Sequence, residues 1–254
     1  MRMRGITRAT AVVAPLILWV GVVVALVWLA RRVDGTYYLD LDKTLLMKVQ
    51  RLDRFAWAGP TFDAVNVLGT SAVLGGVALA AFAVLALRGE RLPALLFAGA
   101  LPMRYVQLLL RDLINRPFDF DRKPLPARLV GEDSFPSGHV VGEVIIYGLV
   151  FAFADRLVPW RPLSALLRAA CLAAIVLGAP ARMYTGAHWP TDVAGGVLLG
   201  LAYLIPALWC EARAGEARRG RDRELARDAG LVRAKEAAPR PPGPPPDAAP
   251  VTRR

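Results

Sequence analysis

A chain of 254 residues that is 55% hydrophobic, with a mean hydropathy of +0.39, is too apolar for an ordinary soluble domain. The net charge of +11 invites a nucleic-acid partner, but no basic stripe interleaved with aromatics marks a folded unit, so nucleic acid is set aside. A membrane protein fits both numbers.

Six runs approach the roughly 20 residues that a helix needs to cross hydrocarbon: 11–30, 65–87, 92–110, 137–153, 163–181 and 191–209. They predict an all-α fold, a six-helix transmembrane bundle, with residues 1–10 before it, a membrane domain over 11–210 and a tail over 211–254. The first run has no small-x-small site before Arg31, so it reads as a retained anchor rather than a cleaved leader. Lys and Arg gather at Arg2, Arg4 and Arg8, in the turns at Arg88, Arg91, Arg156 and Arg161, and in the tail. An even number of spans then puts both termini in the cytoplasm of a multi-pass cell-membrane protein.

After the first run, Leu41, Leu45, Val49, Leu52 and Ala56 recur every three or four residues, with Asp40, Asp42, Lys43, Lys48 and Arg51 largely on the other side. That pattern suits an amphipathic helix lying on the outer interface, or equally a plain loop helix with no lipid-sensing role. The third run carries Arg104, Gln107 and Arg111 on one face, and the fourth carries Glu143 one turn from His139. Intramembrane ionisable groups point inward and have partners. With Arg111 and His139 level, Arg104 and Glu143 differ in depth by about 4 Å, which predicts a contact between them; the alternative is that Glu143 orients His139. Asp119 and Asp121 form an Asp-x-Asp beside Arg122 and Lys123, which reads as a solvated loop rather than a metal site. No metal or cofactor is required by the chemistry below. Cys171 and Cys210 fall in apolar helices and read as packing residues.

The chain has only two histidines, and each sits at the mouth of an apolar run. His139 ends Ser134-Phe135-Pro136-Ser137-Gly138-His139; His188 lies in Arg182-Met183-Tyr184-Thr185-Gly186-Ala187-His188-Trp189-Pro190-Thr191-Asp192. Asp192 falls in the first turn of the last run, where it can accept the His188 Nδ1–H and leave Nε2 free to attack. With both termini inside, the end of the third run, the start of the fourth and the loop before the sixth meet on the outer face. Two helix N-termini there favour an anion. Arg111, Arg116 and Arg182 offer guanidinium forks for phosphate oxygens, and Ser137 and the Gly138 N–H add donors. Trp189 and Tyr184 read as interfacial anchors. In this arrangement His188 is the nucleophile and His139 the acid and then the base.

These residues resemble a family. Pro136-Ser137-Gly138-His139, with Arg182-x5-His188-x3-Asp192, is similar to the second and third signature motifs of the type 2 phosphatidic acid phosphatase superfamily, integral-membrane lipid phosphate phosphatases that share a core with vanadium haloperoxidases. The likeness covers about 62–209. It implies metal-independent hydrolysis of a lipid phosphate or diphosphate (phosphatidate, phosphatidylglycerol phosphate or polyprenyl diphosphate) through a phosphohistidine on His188, with acid His139 and orienter Asp192. The first motif departs from the pattern: Arg111 stands where a lysine is usual, Arg116-Pro117 matches, and Phe118-Asp119 replaces a second Arg-Pro. Ala181 stands in place of a serine. Two other functions stay open, a lipid phosphotransferase using the same intermediate and a non-catalytic lipid-binding scaffold. Beyond Cys210 the chain turns Arg-, Glu- and Ala-rich, then Pro-rich at 239–246, which predicts a helical extension and a solvated tail.

Overall fold

The computed structural model describes residues 2–116 and 134–237. Among them the chain is all-α: α1 (Arg2–Val33), α2 (Asp40–Gln50), a 3-10 turn (Arg51–Arg54), α3 (Ala58–Leu68), α4 (Ser71–Leu87), α5 (Arg91–Ala100), α6 (Met103–Leu113), α7 (Gly138–Leu157), α8 (Arg161–Tyr184) and α9 (Pro190–Ala237). Two compact units divide it, Met1–Glu211 and Ala212–Arg254. Phe118, the Asp119–Asp121 pair and the Pro-rich 239–246 lie outside the described residues.

Among the described residues, four helices or helix runs are long and apolar enough to cross a membrane: Val12–Val33, Arg91–Leu113, Arg161–Tyr184 and Pro190–Ala229. α3 and α4, bent by 50° at a short break, pass the same test only together, as a broken span or a re-entrant loop. Of the expected six, four are therefore met directly, and five where the bent pair is counted as one span. The sixth, α7, is 20 residues long and carries Glu143, Asp155 and Arg156 within its apolar sequence. It is the most enclosed helix, with Val141, Ile145, Leu149 and Phe153 all buried against the main core. The third expected span is α5 and α6 together, interrupted where Pro102 supplies no N–H for the ladder.

Lipid is the natural surroundings of such a bundle. Leu16, Ile17, Leu79, Leu166 and Val176 stand exposed on its flanks, a wide apolar surface that water would not favour. Charged side chains cluster instead where helices turn. Arg156 meets Glu90 at 3.3 Å and Glu211 at 2.8 Å, and Arg168 grips Asp155 through two bonds of 2.8 and 3.0 Å. The protein is a multi-pass membrane protein. Inside α9, Pro206 cannot donate to the carbonyl of Ala202; the Trp19 indole N–H takes that acceptor at 2.9 Å and ties α1 to α9.

The helix in the first loop forms, with Asp40, Lys43 and Lys48 exposed as its polar side and Val49 packed on a core cluster, but one of its carboxylates is turned inward. Asp42 and Leu46 point into the protein, at 0% and 4% exposure, while Leu41 and Leu45 face out. Spacing sees only periodicity; which stripe turns inward is decided by what waits there, and here it is an arginine.

Candidate active site

The end of α6, the start of α7, the end of α8 and the start of α9 meet at one end of the bundle. The joint is made of backbone. The Ser137 N–H donates to the Asp192 carbonyl at 3.1 Å, which fixes the loop before α7 against the first turn of α9. The two helices can approach this closely because Gly196 has no side chain: a Cβ there would lie 2.8 Å from the Ser137 carbonyl oxygen and 3.0 Å from Val140 Cβ.

His188 hangs in the turn between α8 and α9. Gly186 makes that turn at φ +71°, a backbone region costly for any residue with a Cβ. The N–H groups of Ala187 and His188 both return to the Arg182 carbonyl, closing the end of α8. His188 Nδ1 lies 3.7 Å from Asp192 Oδ2, with the imidazole 14% exposed and the carboxylate fully buried. That is the predicted partner at charge-pair distance, longer than the predicted hydrogen bond. Oδ2 instead accepts the Trp189 N–H at 2.8 Å, because Asp192 is also the third residue of α9 and caps its start. Burial pushes the His188 pKa below the ordinary 6.5; Asp192 and the Ser134 carbonyl oppose that push, and Arg182 adds to it.

His139 stands in the first turn of α7, with Arg182, His188 and Arg104 all within electrostatic reach. The Ser137–Asp192 bond thus brings the segments that carry the two imidazoles to the same end of the bundle. Arg182, in the last turn of α8, donates to Asn66 Oδ1 at 3.2 Å, and Asn66 Nδ2 donates to the Ala181 carbonyl at 3.4 Å. Asn66, from α3, is a site neighbour that the sequence did not disclose; no charge or motif marks it. Arg111 ends α6, and its Nε is buried without a partner among the described residues, as is the Ser137 hydroxyl. Gly138 opens α7, facing Arg104 and Gln107 of α6.

Three expectations change. The Arg104–Glu143 contact does not form: Arg104 donates to Gln107 at 2.7 Å, one turn along its own helix, and Gln107 in turn donates to the Pro136 carbonyl at 3.0 Å. Glu143, 1% exposed, faces Arg182, and its Oε2 has no hydrogen bond among the described residues. Tyr184 and Trp189 are not interfacial anchors but internal ones: Tyr184 stacks on Phe62 at 4.7 Å and donates to Asp53, and Trp189 packs on Tyr38 at 5.2 Å. Arg116, expected as a fork for phosphate, is fully buried with both terminal nitrogens on carboxylates, Nη2 on Asp42 at 2.8 Å and Nη1 on Asp192.

Beside His139 and Arg104 a cavity of about 480 Å³ runs between α4, α5, α6 and α7. Polar groups (Arg104, Gln107, His139) stand at one end, and Leu74, Ala78 and Ile145 line its depth. Its walls are mostly hydrocarbon, as a pocket for an apolar ligand requires.

Comparison with known proteins fits this picture. Residues 94–216 match the model of the PAP2 superfamily, so the likeness read from the two histidine motifs is borne out across that segment. The fold is similar to that of a solved structure described as the first transmembrane PAP2 type phosphatidylglycerolphosphate phosphatase from Bacillus subtilis. The two align with a TM-score of 0.60 and 21% identity, over 77% of this chain and 96% of that one. No curated protein sequence matches the chain.

Proposed function

With residues 94–216 matching the PAP2 superfamily, we propose that the chain is a phosphatase of lipid phosphates that works through a phosphohistidine on His188 at the extracytoplasmic face. The observation that supports this reading is the 3.1 Å bond from Ser137 to the Asp192 carbonyl, which brings the start of α7 with His139 and the turn with His188 to one end of the bundle, next to an apolar cavity of about 480 Å³ lined by His139 and Arg104. A phosphate head beside an apolar chain is the ligand such a pair of compartments suits.

In the first step His188 Nε2 forms a bond to phosphorus while the bond to the lipid oxygen breaks. His139 gives its proton to that leaving oxygen. Asp192, 3.7 Å from Nδ1, steadies the imidazolium that results. Arg182, with Arg104 and Arg111 near by, offsets the charge on the phosphoryl oxygens. In the second step His139 takes a proton from water as its oxygen attacks phosphorus, the P–N bond breaks and phosphate leaves. The buried, unpartnered Ser137 hydroxyl and the start of α7 supply further donors.

Phosphate release from the detergent-purified chain tests the reading, with chelator present and a panel of phosphatidate, phosphatidylglycerol phosphate and polyprenyl diphosphate. Release that falls to background in His188→Ala and persists in a lipid-facing Leu166→Ala control is the expected result. Transfer of the group to an added alcohol without free phosphate would favour the transferase, and wild-type activity in His188→Ala would overturn the mechanism.

A further inference from the structure

We propose that Asp42, outside every motif, is a positioning residue for the His188–Asp192 pair, acting through Arg116 and Thr191; this rests on the reading of His188 as nucleophile.

Asp42 and Asp192 hold equivalent places. Each is the third residue of its helix, and each accepts the N–H of the residue before that helix, Leu39 at 3.0 Å and Trp189 at 2.8 Å. In Asp192 this commits Oδ2 to the helix start and leaves Oδ1 for Arg116, whereas in Asp42 the same Oδ2 accepts from both Leu39 and Arg116. The remaining capacity converges on Arg116, whose Nη2 takes Asp42 at 2.8 Å and whose Nη1 takes Asp192. Thr191 completes the ring. Its hydroxyl accepts from Arg116 Nη1 at 2.8 Å and donates to Asp42 at 2.8 Å, and its N–H donates to Asp42 Oδ1 at 2.9 Å. The backbone delivers Arg116 to this place. Gly35 donates to the Asn115 carbonyl at 2.8 Å, and Asn115 donates back to Asp34 Oδ1 at 3.1 Å.

Two consequences follow for His188. Arg116 occupies Asp192 Oδ1, so the carboxylate cannot rotate freely and Oδ2 is held toward the imidazole. The charge also matters. Two carboxylates and one guanidinium, all at 0% exposure, leave one net negative charge beside a ring that becomes positive during reaction. Without Asp42, Arg116 and Asp192 would cancel and the imidazolium would face a neutral pair, with Arg182 and His139 on its other sides. A buried arginine stripped of one of two partners is also strongly disfavoured.

The two histidines give two imidazole signals in the 15N-histidine-labelled full chain in detergent, one assigned by the His139→Asn variant. Asp42→Asn is expected to move the His188 titration to lower pH, leave that of His139 in place, and cut kcat about 10-fold with KM held within about 2-fold. Adding Arg116→Gln to Asp42→Asn restores the net negative charge and should return the His188 titration toward wild type. An unmoved titration and kcat in folded Asp42→Asn, or a change in KM alone, would overturn the proposal. Should Asp42→Asn not fold, Thr191→Val keeps every charge and removes the bridging hydroxyl: kcat about 3-fold lower at constant KM is expected, and no change overturns it. If the wild type releases no phosphate the phosphatase reading fails, and the titrations decide on Asp42 by themselves.

Discussion

His188 attacks as a neutral ring, its one proton on Nδ1 toward Asp192 and Nε2 bare, and its surroundings favour that neutral form. Burial holds its pKa below 6.5. A lowered imidazole pKa means that the ring stays neutral at neutral pH and gains its second proton only as the pH falls through the lowered value. The acid limb of kcat/KM is therefore expected below pH 6.5, read from a pH series in detergent. A limb above that value would mean that the carboxylate, not burial, sets the ring's basicity. At this same scale the sequence singled out His188, His139, Asp192 and Arg182 as candidates, because histidine is rare here and their spacing is tied to chain geometry. Asp42 and Asn66 were not. Their partners, Arg116 and Arg182, lie 74 and 116 residues away, and no local pattern records a contact across such a distance.

At the scale of elements, the site depends on how closely α9 approaches the start of α7. Gly196 makes room for the Ser137 carbonyl and Val140, and Gly200 does so for Val144. Gly196→Val would force these helices apart. A loss of about 1–3 kcal/mol is expected, seen as a lower thermal midpoint, together with a fall in phosphate release because the Ser137–Asp192 bond at 3.1 Å spans the same joint. Unchanged stability and activity would show that the joint can relax. The periodicity of α2 was equally plain in the sequence, yet it did not say that Asp42 would be buried. Amphipathic spacing identifies two stripes, and a helix near a membrane surface can turn either toward the protein. The Asp42 stripe turns in because Arg116 and Thr191 wait there.

Across the whole molecule, apolar flanks and charged turns describe a body made for a bilayer, and every residue of the site belongs to the unit Met1–Glu211. Removal of residues 212–254 is accordingly expected to leave phosphate release within about 2-fold of the full chain, measured at equal protein in detergent. A larger loss would give the tail a part in folding or catalysis. The sequence by itself determined the class of protein, the number of apolar runs and the two histidine motifs, since each depends on hydrophobicity or spacing along one stretch of chain. Only the tertiary structure decided that Glu143 faces Arg182 rather than Arg104, that Arg116 is spent on Asp42 and Asp192, and that a cavity lies beside His139. Those outcomes depend on which helices become neighbours, and pairwise electrostatics across helices has no signature in one dimension.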